Sequence, residues 1–218
     1  MIPLFHDFHG ETVLVFGGGA VGARKARRFA REATVVVVSP DFSAGSYGGA
    51  AKVRAAPTLA AVGGWLDRID PILVVAATDE PALNAAIEDA ARERRILVNR
   101  TDVSGEREAG SVVVPATVDD DPVTVAISTG ASSPALAKYL RERIEADVEG
   151  AGEMAELTAT LRLELQSAKV APAARRDAIR AVVNSDRVWK ALGSGKAKAR
   201  NEAQTVIDET LVGGDSDA

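Results

Sequence analysis

A glycine-rich turn between a short apolar run and an amphipathic segment most constrains how this chain can fold. Thr12–Phe16 is rich in valine, as a buried strand is, and Ala20–Glu32 has the apolar spacing of a helix. Gly17 and Gly19 lie between these two segments and Gly22 lies just inside the second, so that the three are spaced as G-x-G-x-x-G. In this motif the glycines turn the chain, let backbone approach a pyrophosphate, and let helix pack on strand, while the helix directs N–H groups at the phosphates. The sequence therefore predicts a dinucleotide site, with an ordinary glycine-rich turn as the alternative.

Further apolar runs alternate with helical segments, which predicts an α/β fold with a Rossmann-like, doubly wound parallel sheet. The later strands are predicted at residues 35–38, 52–55, 72–77 and 96–99, with helices at 59–66 and 81–94. Ligands of such sheets bind beyond the carboxyl ends of the strands. We therefore expect one crevice bounded by segments 17–22, 39–41, 78–79 and 99–102.

The end of the second strand bears on which dinucleotide binds. In this fold an acidic residue there holds the ribose hydroxyls, but Ser39 occupies the first position and Asp41 follows two residues later. Asp41 could equally serve the Pro-Asp turn. The residues at this strand end leave the choice between NAD and NADP open. The predicted cofactor contacts are Gly17, Gly19, Ala20, Val21, Gly22, Ser39, Pro40, Asp41 and Thr78.

The pattern changes after about residue 110. Strands are predicted at 111–115 and 122–127 with Asp119–Asp121 as the turn, followed by a helix capped by Ser133. Because two strands and a helix do not form a stable domain, we expect this region to pair with a second copy as a homodimer. Residues 151–212 have helical spacing, and 213–218 are predicted to be disordered.

Composition excludes several classes of partner and chemistry. A net charge of −5 argues against nucleic acid, and the absence of cysteine excludes disulfides and thiolate metal sites. No apolar run is long enough to span a membrane, and the opening residues lack the features of a signal peptide, so we expect a cytoplasmic protein. The two histidines, His6 and His9, are interpreted as surface residues rather than iron ligands.

Several motifs in this order resemble one family. They are Pro3-Leu4-Phe5, the glycine turn with Arg24-Lys25-Ala26, Ala76-Ala77-Thr78-Asp79, Val98-Asn99-Arg100-Thr101-Asp102, and Ile127-Ser128-Thr129-Gly130 with Ser132-Ser133-Pro134. Together they resemble the precorrin-2 dehydrogenases, the sirohydrochlorin-forming part of siroheme synthase. The similarity is strong over about residues 1–150 and corresponds to the single-module form.

The resemblance implies a Rossmann domain over residues 1–110, a dimerisation region over 111–150 and a small helical domain over 151–212. It implies NAD-dependent oxidation of precorrin-2 to sirohydrochlorin, and in some members insertion of ferrous iron to form siroheme. Asp102 matches the family's key acid, as general base or as metal ligand. Its alternative role is to cap the turn that follows. The charged loop 103–110 has no assigned role.

The substrate is a tetrapyrrole polyacid, so cations and hydroxyls near the crevice are candidates to bind it. The predicted substrate contacts are Asn99, Ser128, Thr129, Gly130, Arg24 and Lys25. Residues 128–130 could instead cap the helix that begins at Pro134, and the helix that carries Arg24 and Lys25 could simply face solvent.

Two other functions compete with the dehydrogenase. A non-catalytic nucleotide-sensing module, such as those of potassium transport systems, starts with the same turn but usually has an acid directly at the second strand's end, and it leaves segments 99–102 and 128–134 unexplained. The other is a family member that retains only chelatase activity or carries tetrapyrroles.

Overall fold

The computed structural model describes residues 2–103, 110–130 and 132–214. Most of the charged loop predicted at 103–110 therefore lies outside the described residues. The chain divides into two compact units, one of residues 1–114 with 130–132, the other of 115–129 with 133–218. The predicted boundary at residue 150 stays a prediction.

The first unit is built on a five-stranded parallel sheet with the order β3-β2-β1-β4-β5. Its strands are β1 Thr12–Phe16, β2 Thr34–Ser39, β3 Ala51–Arg54, β4 Leu73–Ala76 and β5 Leu97–Arg100. Its helices are α1 Ala20–Phe29, α2 Val62–Ile69, preceded by a 3-10 turn at Leu59–Ala61, and α3 Pro81–Glu93. The predicted Rossmann-like fold is confirmed, and β1 lies where the chain changes direction across the sheet, the usual place for a ligand.

Helices on both faces of the sheet explain why its central strands are apolar runs rather than alternating ones. On one face Val13, Val15 and Val37 pack with Ala23 and Ala26 of α1. On the other face the cluster includes Leu14, Phe16, Val74, Leu66 of α2 and Ile87 of α3. The sheet is thus held rigidly between two apolar layers, with its loops at the carboxyl edge exposed.

The second unit begins with a two-stranded antiparallel sheet and continues as helices. Its elements are β6 Ala116–Asp120, β7 Val123–Ile127, α4 Pro134–Val148, α5 Ala151–Ser167, α6 Pro172–Val183, α7 Asp186–Leu192 and α8 Lys196–Gly214. Helices α5 to α8 share a core that includes Leu161, Val182, Val188, Ala203 and Ile207. The helical tail is confirmed. No helix in the described ranges is long and apolar enough to cross a membrane.

The strand predicted at 111–115 and the turn at Asp119–Asp121 are wrong. Ser111 forms only an isolated bridge to Val98, and the strand that pairs with β7 begins at Ala116. The reason is register: a two-residue loop pairs Asp120 directly with Val123, so the polar aspartates become part of β6. Asp119 is the exposed residue of β6, and its Oδ1 accepts a hydrogen bond from Thr124 Oγ1 of β7 at 3.0 Å.

The start of α4 and the end of α8 can be compared with the predicted helix cap and the predicted disordered tail. Ser133 caps α4 as predicted, its Oγ accepting a hydrogen bond from the N–H of Leu136 at 3.2 Å. Helix α8 continues to Gly214, two residues into the segment predicted to be disordered. Residues 215–218 lie outside the described part of the chain.

Candidate functional site

A cavity of about 500 Å³ opens at the carboxyl ends of β1, β2 and β4. Its wall includes the glycine turn, the residues after β2 and those after β4. From the predicted cofactor set it contains Gly17, Gly19, Ser39, Pro40, Asp41 and Thr78; Gly18, Phe42, Ser43, Ala56, Pro57, Asp79, Glu80 and Leu83 are further members. The segments predicted to bound a crevice are thus brought together, except the one that follows β5.

The glycines of the turn meet different steric demands. Gly17 has φ +111°, and a Cβ there would lie 2.2 Å from the carbonyl oxygen of Ala77, so only glycine fits. A Cβ on Gly22 would lie 1.9 Å from the carbonyl oxygen of Gly17, which explains the close packing of α1 on β1. A Cβ on Gly19 would meet no atom within 4 Å and would occupy cavity space instead.

The start of α1 suits an anion. Gly19 is its N-cap, with extended backbone, no capping side chain and no acidic residue in the first turn. The first N–H groups and the positive end of the helix dipole are therefore directed out of the helix toward its N-terminal side, where the glycine turn lies. Ala20 and Val21 form this first turn and are exposed, although they are not part of the cavity wall.

The segment after β2 is tied to the glycine turn by hydrogen bonds to one carbonyl oxygen, that of Gly18. Gly18 O accepts a hydrogen bond from the N–H of Ser43 at 2.8 Å and another from the hydroxyl of Tyr47. Tyr47 is buried and stacks edge-on against Phe42, with 5.8 Å between ring centroids. Sequence reasoning did not find Tyr47, since an aromatic residue in a glycine-rich loop is an ordinary packing signal.

Asp41 is the acidic residue of the cavity wall that follows β2. Ser39 lines the wall but is buried, and its carbonyl accepts a hydrogen bond from the N–H of Ala55 at 3.1 Å. Asp41 is exposed and accepts a hydrogen bond from Arg54 Nη1 at 2.8 Å, while the same Nη1 donates to the carbonyl of Pro40 at 2.7 Å.

The loop after β4 is fixed by Asn84, a fully buried residue of α3. Asn84 Oδ1 accepts from the N–H of Thr78 at 3.1 Å and from Thr78 Oγ1 at 2.7 Å, and its Nδ2 donates to the carbonyl of Thr78 at 3.0 Å. Its amide also stabilises the carboxylate of Asp102 and helps to lower the pKa of that group. Asn84 therefore connects the cavity wall to the acid after β5, a connection that sequence spacing did not reveal.

Asp102 follows β5 and is held by a guanidinium. Arg100 donates from Nε to Oδ1 at 2.8 Å and from Nη2 to Oδ2 at 2.7 Å, and its Nη1 donates to Glu88 Oε2 at 2.8 Å. The Arg100 hydrogen bonds lower the pKa of Asp102 from 3.8 to about 2, despite an opposing effect of burial. The carboxylate is thus ionised at neutral pH with both oxygens engaged. Asp102 is not part of the cavity wall.

Asn99 lies on the other face of the sheet from Arg100, because successive strand residues point to opposite faces. It is buried, and its Nδ2 donates to the carbonyl of Val112 at 2.7 Å. Its Oδ1 has no hydrogen-bond partner among the described residues. The side chain of Asn99 is therefore bound to the segment around Val112, which lies beside β5.

The other predicted substrate contacts are not among the residues that line the cavity. Arg24 is exposed and Lys25 half-buried on α1. Thr129 Oγ1 donates to the carbonyl of Ser133 at 3.1 Å, and this contact at the start of α4 matches the capping alternative. Ser128 and Thr129 belong to the second unit, whereas Gly130 groups with the first.

In the part of the chain that the structure describes, one cluster could hold a metal: Asp7, His9 and Glu32, all exposed. The pKa of His9 is raised by its hydrogen bond to Asp7, with 2.6 Å between Nδ1 and Oδ1. Asp102, the predicted metal ligand, does not belong to that cluster.

The fold and the glycine-lined cavity define a class, the Rossmann proteins that bind NAD(P). A family model described as "Putative NAD(P)-binding" matches residues 4–116, which include the whole cavity wall.

Similarity to individual proteins is more specific. The chain is 33% identical over 218 residues to a precorrin-2 dehydrogenase of Methanosarcina barkeri, covering 97% of this chain and 95% of that protein. It is 34% identical to a siroheme synthase of Pseudomonas putida over 95% of this chain but only 44% of that protein. The chain belongs to the precorrin-2 dehydrogenase family, as its motifs predicted. A solved structure of SirC, a precorrin-2 dehydrogenase, has the same fold, with a TM-score of 0.69 at 22% identity, covering 96% of this chain and all of that one.

Proposed function

We propose that this protein oxidises precorrin-2 to sirohydrochlorin with NAD as the acceptor. The observation that carries the proposal is the space at Gly19: a side chain there would occupy the cavity, while Gly17 and Gly22 have no room for one. Backbone that is open only at the middle glycine is what a bound pyrophosphate requires. Membership of the precorrin-2 dehydrogenase family supports the choice of substrate.

The residues for the cofactor are those predicted from the sequence: Gly17, Gly19, Ala20, Val21, Gly22, Ser39, Pro40, Asp41 and Thr78. The glycine turn and the first turn of α1 would hold the pyrophosphate through N–H groups, and the Asp41 carboxylate would accept from the ribose. Bound NAD supplies the hydride acceptor. The chain's own task is then to orient the substrate and to remove a proton.

Asp102 is the proposed proton acceptor. Its carboxylate is ionised and therefore able to take a proton, but a group with a pKa of about 2 is a weak base. Arg100 occupies both oxygens, so substrate binding would have to draw the guanidinium away, for instance toward a substrate carboxylate. Loss of Arg100 contacts would raise the pKa of Asp102 at the moment a base is needed.

Substrate recognition and assembly are proposed on chemical grounds. Arg24 and Lys25 supply positive charge for a polycarboxylate, and Asn99 and residues 128–130 supply polar groups. A homodimer is supported by α4, whose residues the structure describes throughout: none is fully buried, and Leu136 and Tyr139 are 46% and 52% exposed. A second copy that packed on α4 would cover these two side chains.

Iron insertion would use Asp102 as a ligand, and the structure offers one specific obstacle. A metal would have to displace Arg100 from the carboxylate oxygens, which are at 2.8 and 2.7 Å from guanidinium nitrogens. Insertion of ferrous iron at Asp102 would therefore require the same release of Arg100 from the carboxylate that the proposed proton transfer requires.

The test is to incubate the purified protein with precorrin-2 and NAD and to follow sirohydrochlorin by its absorbance. Asp102→Asn should lower turnover by about a hundredfold or more, as loss of a general base does. The matched control is Asp177→Asn, which makes the same charge change on α6, where the exposed carboxylate contacts only Arg180 among the described side chains. Full turnover by Asp102→Asn would remove Asp102 from the mechanism, and absence of product from the wild type would favour a carrier or sensor. Ferrous iron added to the same reaction tests insertion.

A further inference from the structure

We propose that Asp7, His9 and Glu32 bind one divalent transition-metal ion of the zinc class, at the edge of the sheet opposite the cavity. These three residues, the amino-edge cluster, offer ligand atoms that all lie within 4.8 Å of one another. They come from two separate segments of the first unit, the one before β1 and the one between α1 and β2. The proposal concerns a site separate from the cofactor cavity and does not depend on the proposed function.

The position of the cluster follows from the parallel sheet. Asp7 and His9 precede Thr12, where β1 begins, and Glu32 precedes Thr34, where β2 begins. Thr12 and Thr34 are paired in the register of the two strands, so the segments before them lie side by side. The cavity opens at the other ends of these strands, about 16 Å away for the five residues of β1. An ion in the cluster would therefore join two segments of backbone without touching a dinucleotide.

The backbone that carries the three ligands is fixed by contacts outside the cluster. Phe8, between the first two ligands, stacks edge-on against Phe29 of α1 with 5.3 Å between ring centroids. The carbonyl of Phe29 accepts a hydrogen bond from the N–H of Glu32 at 3.1 Å, and that of Glu11 accepts one from the N–H of Thr34 at 2.9 Å. The two segments are thus held together before any ion binds, which lowers the entropy cost of binding.

The donor atoms select the class of metal. An imidazole nitrogen with carboxylate oxygens suits zinc and its neighbours, whereas magnesium and calcium prefer oxygen ligands alone. Three protein ligands leave the fourth position of a tetrahedral zinc ion to water. His9 Nδ1 and Asp7 Oδ1 now share a hydrogen bond at 2.6 Å, and around zinc they would lie about 3.3 Å apart. Because all three side chains are exposed, they can make this adjustment without disturbing the core.

The same segment supplies two matched controls. The ring of His6 lies against Phe8 with 4.5 Å between centroids, and His6 is not a member of the cluster. Glu11 is likewise outside the cluster, although it lies only two residues from His9. A metal that bound to any histidine or any carboxylate of this surface would respond to replacement of these residues too.

The experiment titrates zinc chloride into the untagged full chain by isothermal titration calorimetry, without nucleotide. Wild type should bind one ion with a Kd in the micromolar range. His9→Ala and Glu32→Gln should each raise Kd at least about tenfold, since loss of even an outer partner of a metal ligand costs that much. His6→Ala and Glu11→Gln should stay within about twofold of wild type. Magnesium chloride should give no binding.

Thermal unfolding tests whether the ion joins the two segments. Saturating zinc should raise the Tm of wild type and of both controls, because the ion binds the folded chain preferentially, and should leave the Tm of His9→Ala unchanged. This pattern together with the titration supports the proposal. It is overturned if wild type binds no zinc at millimolar concentration, if Glu32→Gln binds as tightly as wild type, or if His6→Ala loses as much affinity as His9→Ala. Binding of magnesium with equal affinity would equally overturn the assignment to a transition metal.

Discussion

The segments that follow β1 and β5 both lie at the carboxyl edge of the same sheet, but different interactions fix their geometry. Beyond β1 the geometry is set by backbone: glycines that tolerate no side chain and a carbonyl held by Ser43 and Tyr47. Beyond β5 it is set by charge, through the chain of contacts from Glu88 to Arg100 to Asp102. The glycine turn after β1 has a shape that suits a phosphate without any ligand bound, whereas the charged side chains after β5 are paired with one another.

This difference suits the two segments to different tasks. A backbone cradle cannot be adjusted, so it suits a cofactor that must bind in one way every time. A network of side chains can exchange partners without moving the sheet, so it suits a group that has to change its basicity during a reaction. The predictions below test whether the two ends respond differently to substitution.

The largest effect is expected at the backbone-built end. Gly17→Ala would place a Cβ 2.2 Å from the Ala77 carbonyl oxygen at φ +111°, which should cost about 2 to 4 kcal/mol of unfolding free energy and abolish NAD binding. Urea denaturation and calorimetric titration measure the two losses. Normal stability with normal affinity in this variant would show that the turn is not rigid.

Gly19→Ala serves as the comparison for that variant. The added methyl would meet no protein atom within 4 Å, so stability should change by no more than about 0.5 kcal/mol. NAD affinity should nevertheless fall at least about tenfold, since the methyl takes space needed for backbone contact with the pyrophosphate. Unchanged affinity for NAD would show that the pyrophosphate does not bind against the backbone of the glycine turn, the backbone cradle formed by residues 17–22.

The next largest effect is expected at the charged end. Arg100→Leu would leave the carboxylates of Glu88 and Asp102 without their shared partner, and Arg100 is only 9% exposed. The loss should be about 3 kcal/mol, and the pKa of Asp102 should rise because its principal cause of lowering is gone. Arg92→Leu on the exposed side of Glu88 is the control, with a loss near zero to about 1 kcal/mol. NAD affinity should stay within about twofold of wild type, which separates this end from the cradle.

Asn84→Ala should affect both ends, and so tests their separation directly. It removes the hydrogen bonds to Thr78 and the amide near Asp102, at a cost of about 2 kcal/mol. NAD binding and substrate turnover should both decline severalfold. If only one of them declines, the two ends are not connected through Asn84.

The sequence revealed most of the backbone-built end and little of the charged end. The parallel sheet follows from the alternation of strands and helices, and the roles of Gly17 and Gly22 follow from a spacing that has a steric meaning along a short stretch of chain. Tyr47 contacts Gly18, Glu88 contacts Arg100, and Asn84 acts on Asp102 as well as on the nearby Thr78, and nothing in the residues beside them signals these partners. The predicted position of β6 was wrong for a related reason: the register of the hairpin depends on the length of its loop, which the apolar pattern of the strands did not reveal.

Acid should weaken the charged end specifically. The pKa of Asp102 is about 2 in the folded protein against 3.8 for the free group, so its contribution to stability is complete above about pH 4 and is lost as pH falls toward 2. Wild type should therefore lose about 1 to 2 kcal/mol more than Asp102→Asn over that interval, allowing for solvent screening. Urea midpoints at pH 7, 4 and 2 measure the difference. Parallel curves for the two proteins would mean that Arg100 does not hold Asp102 in solution.

The smallest effect is expected from Tyr47→Phe, which alters only the support behind the cradle. The hydroxyl that donates to Gly18 O is lost, but the N–H of Ser43 still donates to that oxygen, and the ring still packs on Phe42. Stability should fall by about 1 kcal/mol, and Kd for NAD should rise about two- to fivefold while kcat at saturating NAD is unchanged. A fall in kcat without a change in Kd would place Tyr47 with the charged end, and would break the distinction between a fixed cradle and an adjustable acid.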